Sequence, residues 1–509
     1  MMKKILVLVV LALAAGFVMV HDSFAQKQPE YGGTLKIVAP AGPTVLGYYP
    51  EMGPSDHSAA FPALESIMEM SEQRKMVPFL AEKVDIDEKK LTYTIHLRKG
   101  IKFHDGSDLN GQACAWNYQL LKDTNKIQYG EQIKRIEVVD DHTVVLHLSA
   151  YNNQMNWAYG WVPMLSKVAF ETKGKEWCRA NIVGTGPFKQ VEWKRDAYLK
   201  WAKFDGYWQK GRPYLDAIEY RYVPDPVTAS AMMQTKEADI WLNAPANQQF
   251  DMEKKGLIRK SYWSALEYVL YLNTKDANKP TANAKVREAI EYAIDRAAIA
   301  KALGFGYLTP LKMIHPKGEW AYDPDWPGRN YNPAKAKQLL AEAGYPNGVK
   351  LKLLAVPGVS GGKDIAEAIA GYLNQAGINT DVDMADPGRY WGSVFGKGWD
   401  DMVLCFAGVD YNSLATMQTW FGHEPKTNLA SFKRTDKLLA LSKESITFKD
   451  EARQKEWALK MSREISEQAL MIPLFHNPAS YIQQPWVNTT YMESGMVRWK
   501  TYDMWMAKH

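Results

Sequence analysis

A carboxylate at Asp410, followed by Tyr411, stands where a strand gives way to a helix. Met402 to Phe406 is an apolar, β-prone run of the length of a buried strand; Ala407 and Gly408 break it, and Asn412 or Ser413 can cap an amphipathic segment that ends near Gly422. In open α/β sheets that edge is where ligands lodge, because the loops diverge there and leave a crevice. Asp410 therefore either caps a turn or faces a solute, and a partly buried carboxylate would select an ammonium through charge-assisted hydrogen bonds. A second constellation, Gly358-Val359-Ser360-Gly361-Gly362, satisfies GxSxG between a predicted strand and a predicted helix, with Asp410 and His476 following in hydrolase order. Pro357 and the small residues after it describe an ordinary loop as well, and no oxyanion motif accompanies them, so a serine hydrolase is the remote reading.

Metal chemistry has less to build on. The 10 histidines are scattered, no HExxH occurs, and Cys114, Cys178 and Cys405 have no metal-type spacing to one another or to a histidine. No cofactor is expected. The aromatics are more pointed: 18 Trp and 27 Tyr against 16 Phe, a bias suited to surfaces that must be apolar and still hydrogen-bond. Tyr48 and Tyr49 fall in the loop after the first predicted strand, Trp161 opens WVPM, Trp241 ends a predicted strand, and Trp391 lies in RYWGSVF. Each of these either packs a core or walls a cleft.

The elements that must position these residues begin after a leader. Met1 to Ala25 has a basic start, an apolar run from Ile5 to Val20 and a polar close with small residues, which is the layout of a secretory signal cleaved between Ala25 and Gln26. No cysteine lies nearby to accept a lipid, and no later stretch is apolar enough to span a bilayer. The mature chain is expected to be exported, periplasmic and free of membrane insertion, and too long for one core. The net charge of +5 is spread among interleaved acids and bases, so nucleic acid is not an expected partner.

Strands are predicted over Tyr31 to Ala39, Thr92 to Leu97, Val144 to Leu148, Ala217 to Val223, Tyr268 to Asn273, Val349 to Val356 and Asn379 to Asp383. Helices are predicted over Gly111 to Asp123, Asp225 to Glu237, Ala284 to Leu303, Pro333 to Ala343, Ile365 to Ala376 and, as one long element, near Thr435 to Gln468. Mixed strands followed by alternating β and α units argue for two α/β lobes.

Along this framework YGGTL (31–35), PFLAEKV (78–84), LTYTIHLRKGIKFHDGS (91–107), GTGPFK (184–189), FDGYWQKGRPYLDAIEYRYVPD (204–225), YLNT (271–274), VREAIEYAIDRAAI (286–299) and LLAEAGYPNG (339–348) occur in order. This ordered set resembles the extracellular solute-binding proteins of family 5, the dipeptide, oligopeptide and nickel class of ABC importers. The resemblance implies a hinged, two-lobed periplasmic-binding-protein fold of type II-like topology, with an additional small α+β domain on the first lobe. Transferred to this chain, the first lobe covers 26–60, 185–268 and 482–509, the additional domain 61–184, and the second lobe 269–481. The hinge crossings fall near Leu266 to Asn273 and Asn477 to Gln484. Cys114 and Cys178 share the additional domain and are the pair expected to bridge, if any does.

The implied work is capture of a small peptide or peptide-like solute and its delivery to the permease subunits of an ABC transporter, by a monomer and without catalysis. Closure of the lobes makes the surface the permease reads. Asp410-Tyr411 matches the family's ammonium-binding pair, and Trp391 an aromatic that lines its pocket. The chain departs from the peptide binders at Asn412-Ser413-Leu414, where an acid and a proline are usual. The arginine that meets the peptide carboxylate in several members has no counterpart at Leu404 or Asp364. Oligosaccharide and nickel chelates are therefore the alternative ligands.

Overall fold

A computed structural model describes residues 28–261, 267–357, 362–407, 412–422, 429–490, 492–493 and 498–509. The signal-peptide reading thus falls outside the described residues. Thr34–Ala39 lies between Ala217–Tyr222 and Ile240–Leu242, parallel to both. The full sheet has seven strands in the order Ile258–Ser261, Ser480–Gln483, Ile240–Leu242, Thr34–Ala39, Ala217–Tyr222, Tyr198–Lys203, Phe188–Lys194. Leu35 and Ile37 enter a core with Trp201, Ile218 and Tyr220, while Val38 enters a second core on the other face with Met233, Trp241 and Ile482.

The second lobe repeats this logic around Met402–Ala407, which pairs antiparallel with Glu267–Leu272 and parallel with Val349–Ala355 in a six-stranded sheet. Met402 and Leu404 pack with Leu270, Ile290 and Leu353; Val403 and Cys405 pack with Tyr271, Tyr390 and Phe421 on the opposite face. Both faces of the strand are covered, which is why it reads as an unbroken apolar run instead of an alternation. Each such side chain contributes roughly 1.5–3 kcal/mol of burial. A smaller antiparallel sheet, ordered Ala81–Asp87, Thr92–Leu97, Thr143–Leu148, Ile133–Asp140, does alternate, because only one face is packed. Tyr93, Ile95, Val144 and Leu146 point inward onto the helix Gly111–Asp123 through Cys114, Tyr118 and Leu121.

The chain passes from the first sheet to the second between Ser261 and Glu267 and returns between His476 and Ser480. Both passages are earlier and shorter than expected, since Glu267–Leu272 and Ser480–Gln483 are already committed to strand pairing. Two predicted helices are each divided. Asp295 accepts from the Ala298 amide and starts a new helix, Arg296–Leu303, after Ala284–Ala293; Asp450 does the same for Glu451–Glu467 after Asp436–Ser445. The segment after Ser413 is one α turn continued by a π-type turn, Met417–Phe421. The expected disulfide is not made: all three cysteines are free thiols, with Cys114 in the core of the small sheet and Cys178 in that of the first lobe. No helix among the described residues is long and apolar enough to cross a membrane.

Candidate binding site

Three strand ends lie level at one edge of the second sheet, because Glu267 is in register with Ala407 on one side and His476 on the other. Glu267 is buried, and both its carboxylate oxygens face His476 Nδ1, at 2.9 and 3.1 Å. Burial pushes its carboxyl above the usual glutamate range, His476 pulls it back, and Glu319 pushes it up again. The carboxylate bonded to His476 is thus Glu267, whereas the hydrolase reading assigns that part to Asp410.

Asp410 and Tyr411 follow this edge directly and lie outside the described residues, as do Gly358 to Gly361 with Ser360. The chain re-enters at Asn412, whose side chain accepts from the Ala415 amide at 2.8 Å, so the cap anticipated there is formed. Ser413 Oγ then donates to Glu319 Oε2 at 3.3 Å, and Glu319 Oε1 pairs with Arg74 Nη1 at 2.8 Å. Arg74 comes from the other side of the cleft, out of the turn between Met68–Met70 and Met76–Pro78.

Trp391 stands on the second lobe, stacked on Phe395 with centroids 5.3 Å apart and edge-on to Phe406 at 5.9 Å; Phe406 in turn meets Trp420 at 6.4 Å. These rings form a continuous aromatic row beside the Met402–Ala407 strand. The other aromatics singled out by sequence are dispersed. Trp161 packs against Trp157 at 4.7 Å, and Tyr49 stacks on His57 at 4.6 Å. Tyr48 is buried against Phe170, with the Lys175 ammonium 4.8 Å from its ring centroid. Trp241 is buried among Val38, Met233, Met252 and Ile482 in the first lobe's core.

The two sides of the cleft are also clasped by amides. Gln154 donates to Gln418, Gln128 donates to Thr419 Oγ1 at 3.1 Å, and Gln418 donates to Ser445 Oγ at 2.9 Å. Asn153 adds its backbone N–H to the Ile446 carbonyl and its side-chain amide to the Ser445 carbonyl, both at 2.8 Å. Gln154, Gln418 and Ser445 are buried by this contact. Nearer the hinge, Tyr307 of the second lobe donates to Glu253 of the first, under the Arg259 guanidinium.

Arg74, Glu267, Glu319 and the Gln154–Gln418 pair were not legible as site residues. Arg74 lies four residues before the PFLAEKV phrase, and nothing local distinguishes it from other surface arginines. His476 did carry a signal, its position at the end of an apolar strand, but its partner is 209 residues away.

Comparison with known proteins places this geometry. The profile of the bacterial extracellular solute-binding proteins, family 5 (middle), matches residues 75–428. The glutathione-binding protein GsiB of Escherichia coli O1:K1 is 35% identical over 346 residues, which span 66% of this chain and 66% of that protein, just under two thirds of its length. Among solved structures, the periplasmic binding protein DppA from Helicobacter pylori, in complex with the peptide STSA, superposes with a TM-score of 0.82 at 22% identity, covering 94% of this chain and 99% of that one. AgaA of A. tumefaciens R10, in complex with agropinic acid, gives 0.79 at 25% identity over 94% and 99%. The fold is the two-lobed periplasmic-binding-protein fold.

Proposed function

Because the chain belongs to the bacterial extracellular solute-binding proteins of family 5, we propose that it captures a small peptide or peptide-like solute between its lobes and delivers it to the permease of an ABC importer. The observation that carries this reading is the meeting of Arg74, Glu319 and Ser413 across the cleft, at the edge where the Met402–Ala407 strand ends. Charged groups from both sides converge there, so a solute seated between them is enclosed only when the lobes close. Asp410 is the proposed anchor for the solute's ammonium, with Tyr411 and Trp391 beside it. Trp161 and Tyr49, which keep some surface, are assigned supporting roles, while Tyr48 and Trp241, buried in the cores of the first lobe, are assigned to packing. The chain acts by binding, as a monomer, without cofactor or catalysis, in the periplasm after cleavage behind Ala25.

Supporting this reading, GsiB is named for glutathione, and DppA is solved with a peptide. The test is a thermal-shift screen of the mature protein against glutathione, di- and tripeptides, oligosaccharides and nickel chelates. A solute at a hundred times its Kd stabilises by about 2.7 kcal/mol. Response to peptides or glutathione is expected. Response to oligosaccharides or nickel chelates alone would replace the peptide reading by the corresponding alternative. Asp410→Asn should weaken peptide binding tenfold or more, from roughly 1.5–3 kcal/mol for a charged hydrogen bond. A mutant and a wild type equally indifferent to N-acetylation of the peptide would remove Asp410 from the ammonium role.

A further inference from the structure

A cavity of about 560 Å³ is walled by the second lobe, between the junction of the helices Ala284–Ala293 and Arg296–Leu303 and the loop that runs from Leu311 to Arg329. Among the described residues none from the first lobe or the small domain lines it, which sets it apart from the cleft between the lobes. Volumes of this order hold small molecules. Four cationic side chains line the cavity, Arg296, Lys312, Lys317 and Arg329, against one acid, Asp295. Buried Glu291 answers both arginines, at 3.4 Å from Arg296 Nη2 and 3.0 Å from Arg329 Nη1. Asp295 accepts the Ala298 amide at 2.9 Å, as the cap of its helix. The positive charge left over is that of the two lysines.

Lys312 is an ammonium held in place. Its Nζ donates to the Pro324 carbonyl at 2.9 Å and to the Trp326 carbonyl, and it stands 5.4 Å from the centroid of the Tyr322 ring. An ammonium has three N–H donors, so one is unspent. Lys317 is exposed at the rim, and neither lysine has an acidic partner among the described residues. Between them in the chain, His315 forms part of the inner wall. It is fully buried, and among the described residues neither ring nitrogen has a hydrogen-bond partner. Burial pushes this imidazole down to about 4, so at neutral pH it is uncharged and offers one N–H and one acceptor. A buried ring without a partner calls for a reason.

We propose that this cavity is a second ligand site, for a small organic carboxylate whose anion is met by Lys312, His315 and Lys317 and whose apolar body lies against Leu311, Pro316 and Tyr322. A carboxylate only accepts hydrogen bonds, and the three groups of this one loop supply donors to it. A neutral molecule of the same shape keeps the apolar contact and forgoes the charged hydrogen bonds, and a cation meets two like charges. The site stands whatever solute the cleft captures. Its loop also carries Glu319 to Arg74 and Ser413, so one loop walls the cavity and reaches into the cleft.

The experiment uses the full mature protein and calorimetric titration of three probes of one shape, benzoate, benzyl alcohol and benzylamine, with wild type, Lys317→Glu and Ala297→Trp. Both substituted residues line the cavity and are exposed, and unfolding midpoints of the unliganded variants establish that each is folded. Wild type is expected to bind benzoate, to bind benzyl alcohol about tenfold or more weakly, and to ignore benzylamine. Lys317→Glu, which reverses the charge at the rim, should weaken benzoate about tenfold or more. Ala297→Trp, which fills the cavity and leaves its charges in place, should abolish binding. Benzoate binding that survives in either variant lies elsewhere or does without the charge, and overturns the site as proposed. Benzyl alcohol bound as well as benzoate overturns the anion, and a wild type that ignores benzoate overturns the site outright. None of these results bears on solute capture in the cleft, which the screen above tests separately.

Discussion

His315 is fully buried and His104 partly so, and burial pushes both imidazoles down to about 4. Burial disfavours the charged ring in each; at His104 the Gly186 carbonyl offsets part of this, and at His315 the charge of Glu319 does. In the unfolded chain both rings titrate near their ordinary value, about 6.5. Between these limits the unfolded state binds protons that the folded state refuses, so stability is present above pH 6.5 and falls as the pH drops towards 4. Each histidine should remove about 2 kcal/mol between pH 7 and pH 5. His315→Leu is expected to flatten that part of the profile, whatever its effect at pH 7, with urea unfolding at the two pH values as the measurement. An unchanged slope would mean that His315 is protonated in the folded protein.

At the scale of elements, GTGPFK shows how a motif can be right for a different reason than its composition suggests. Its glycines read as positions needing unusual backbone angles, as Gly32 and Gly33 of YGGTL, at φ +102° and +88°, do. Gly184 and Gly186 do not have positive φ; they are required by approach. A Cβ on Gly184 would stand 1.9 Å from the Ala63 carbonyl oxygen, and one on Gly186 2.6 Å from that of Pro62. Gly184→Ala must therefore push one backbone segment off another, at a cost of about 1–3 kcal/mol or more. Calorimetric unfolding should show it as a lowered midpoint, and an unchanged midpoint would mean the two segments slide freely. The Asn412 cap was legible at this scale, since it acts on an amide within three residues; the caps at Asp295 and Asp450, inside helices read as continuous, were not. The breaks at Ile294 and after Ser445 were not, because their apolar spacing runs on almost unchanged through them.

For the whole molecule, the amide clasp links recognition to closure. Gln154 and Gln418 are buried in contact with each other, so a motion that parts them would solvate both. Gln154→Ala removes the hydrogen bond from Gln154 to Gln418, costing the form that makes it about 1–3 kcal/mol. Solute affinity should fall about tenfold as the competent population shrinks, and small-angle scattering of the ligand-free protein should show a larger radius of gyration. Unchanged affinity and radius would place the clasp outside the closing motion.

The sequence by itself determined the family, the two α/β lobes with an added antiparallel domain, and most strands and helices. Those rest on local information: periodicity, turn residues, caps and ordered phrases, each carried by neighbours in the chain. Tertiary structure alone decided which charges meet. Arg74 and Glu319 are 245 residues apart, and Glu267 and His476 209, so their pairing depends on where the chain crosses between the sheets. It also decided that the three cysteines stay apart in separate cores, and that Trp241 belongs to packing while Trp391 joins a row of rings beside the cleft. Local propensity carries no information about such distant contacts; they follow from how the two lobes are arranged against each other.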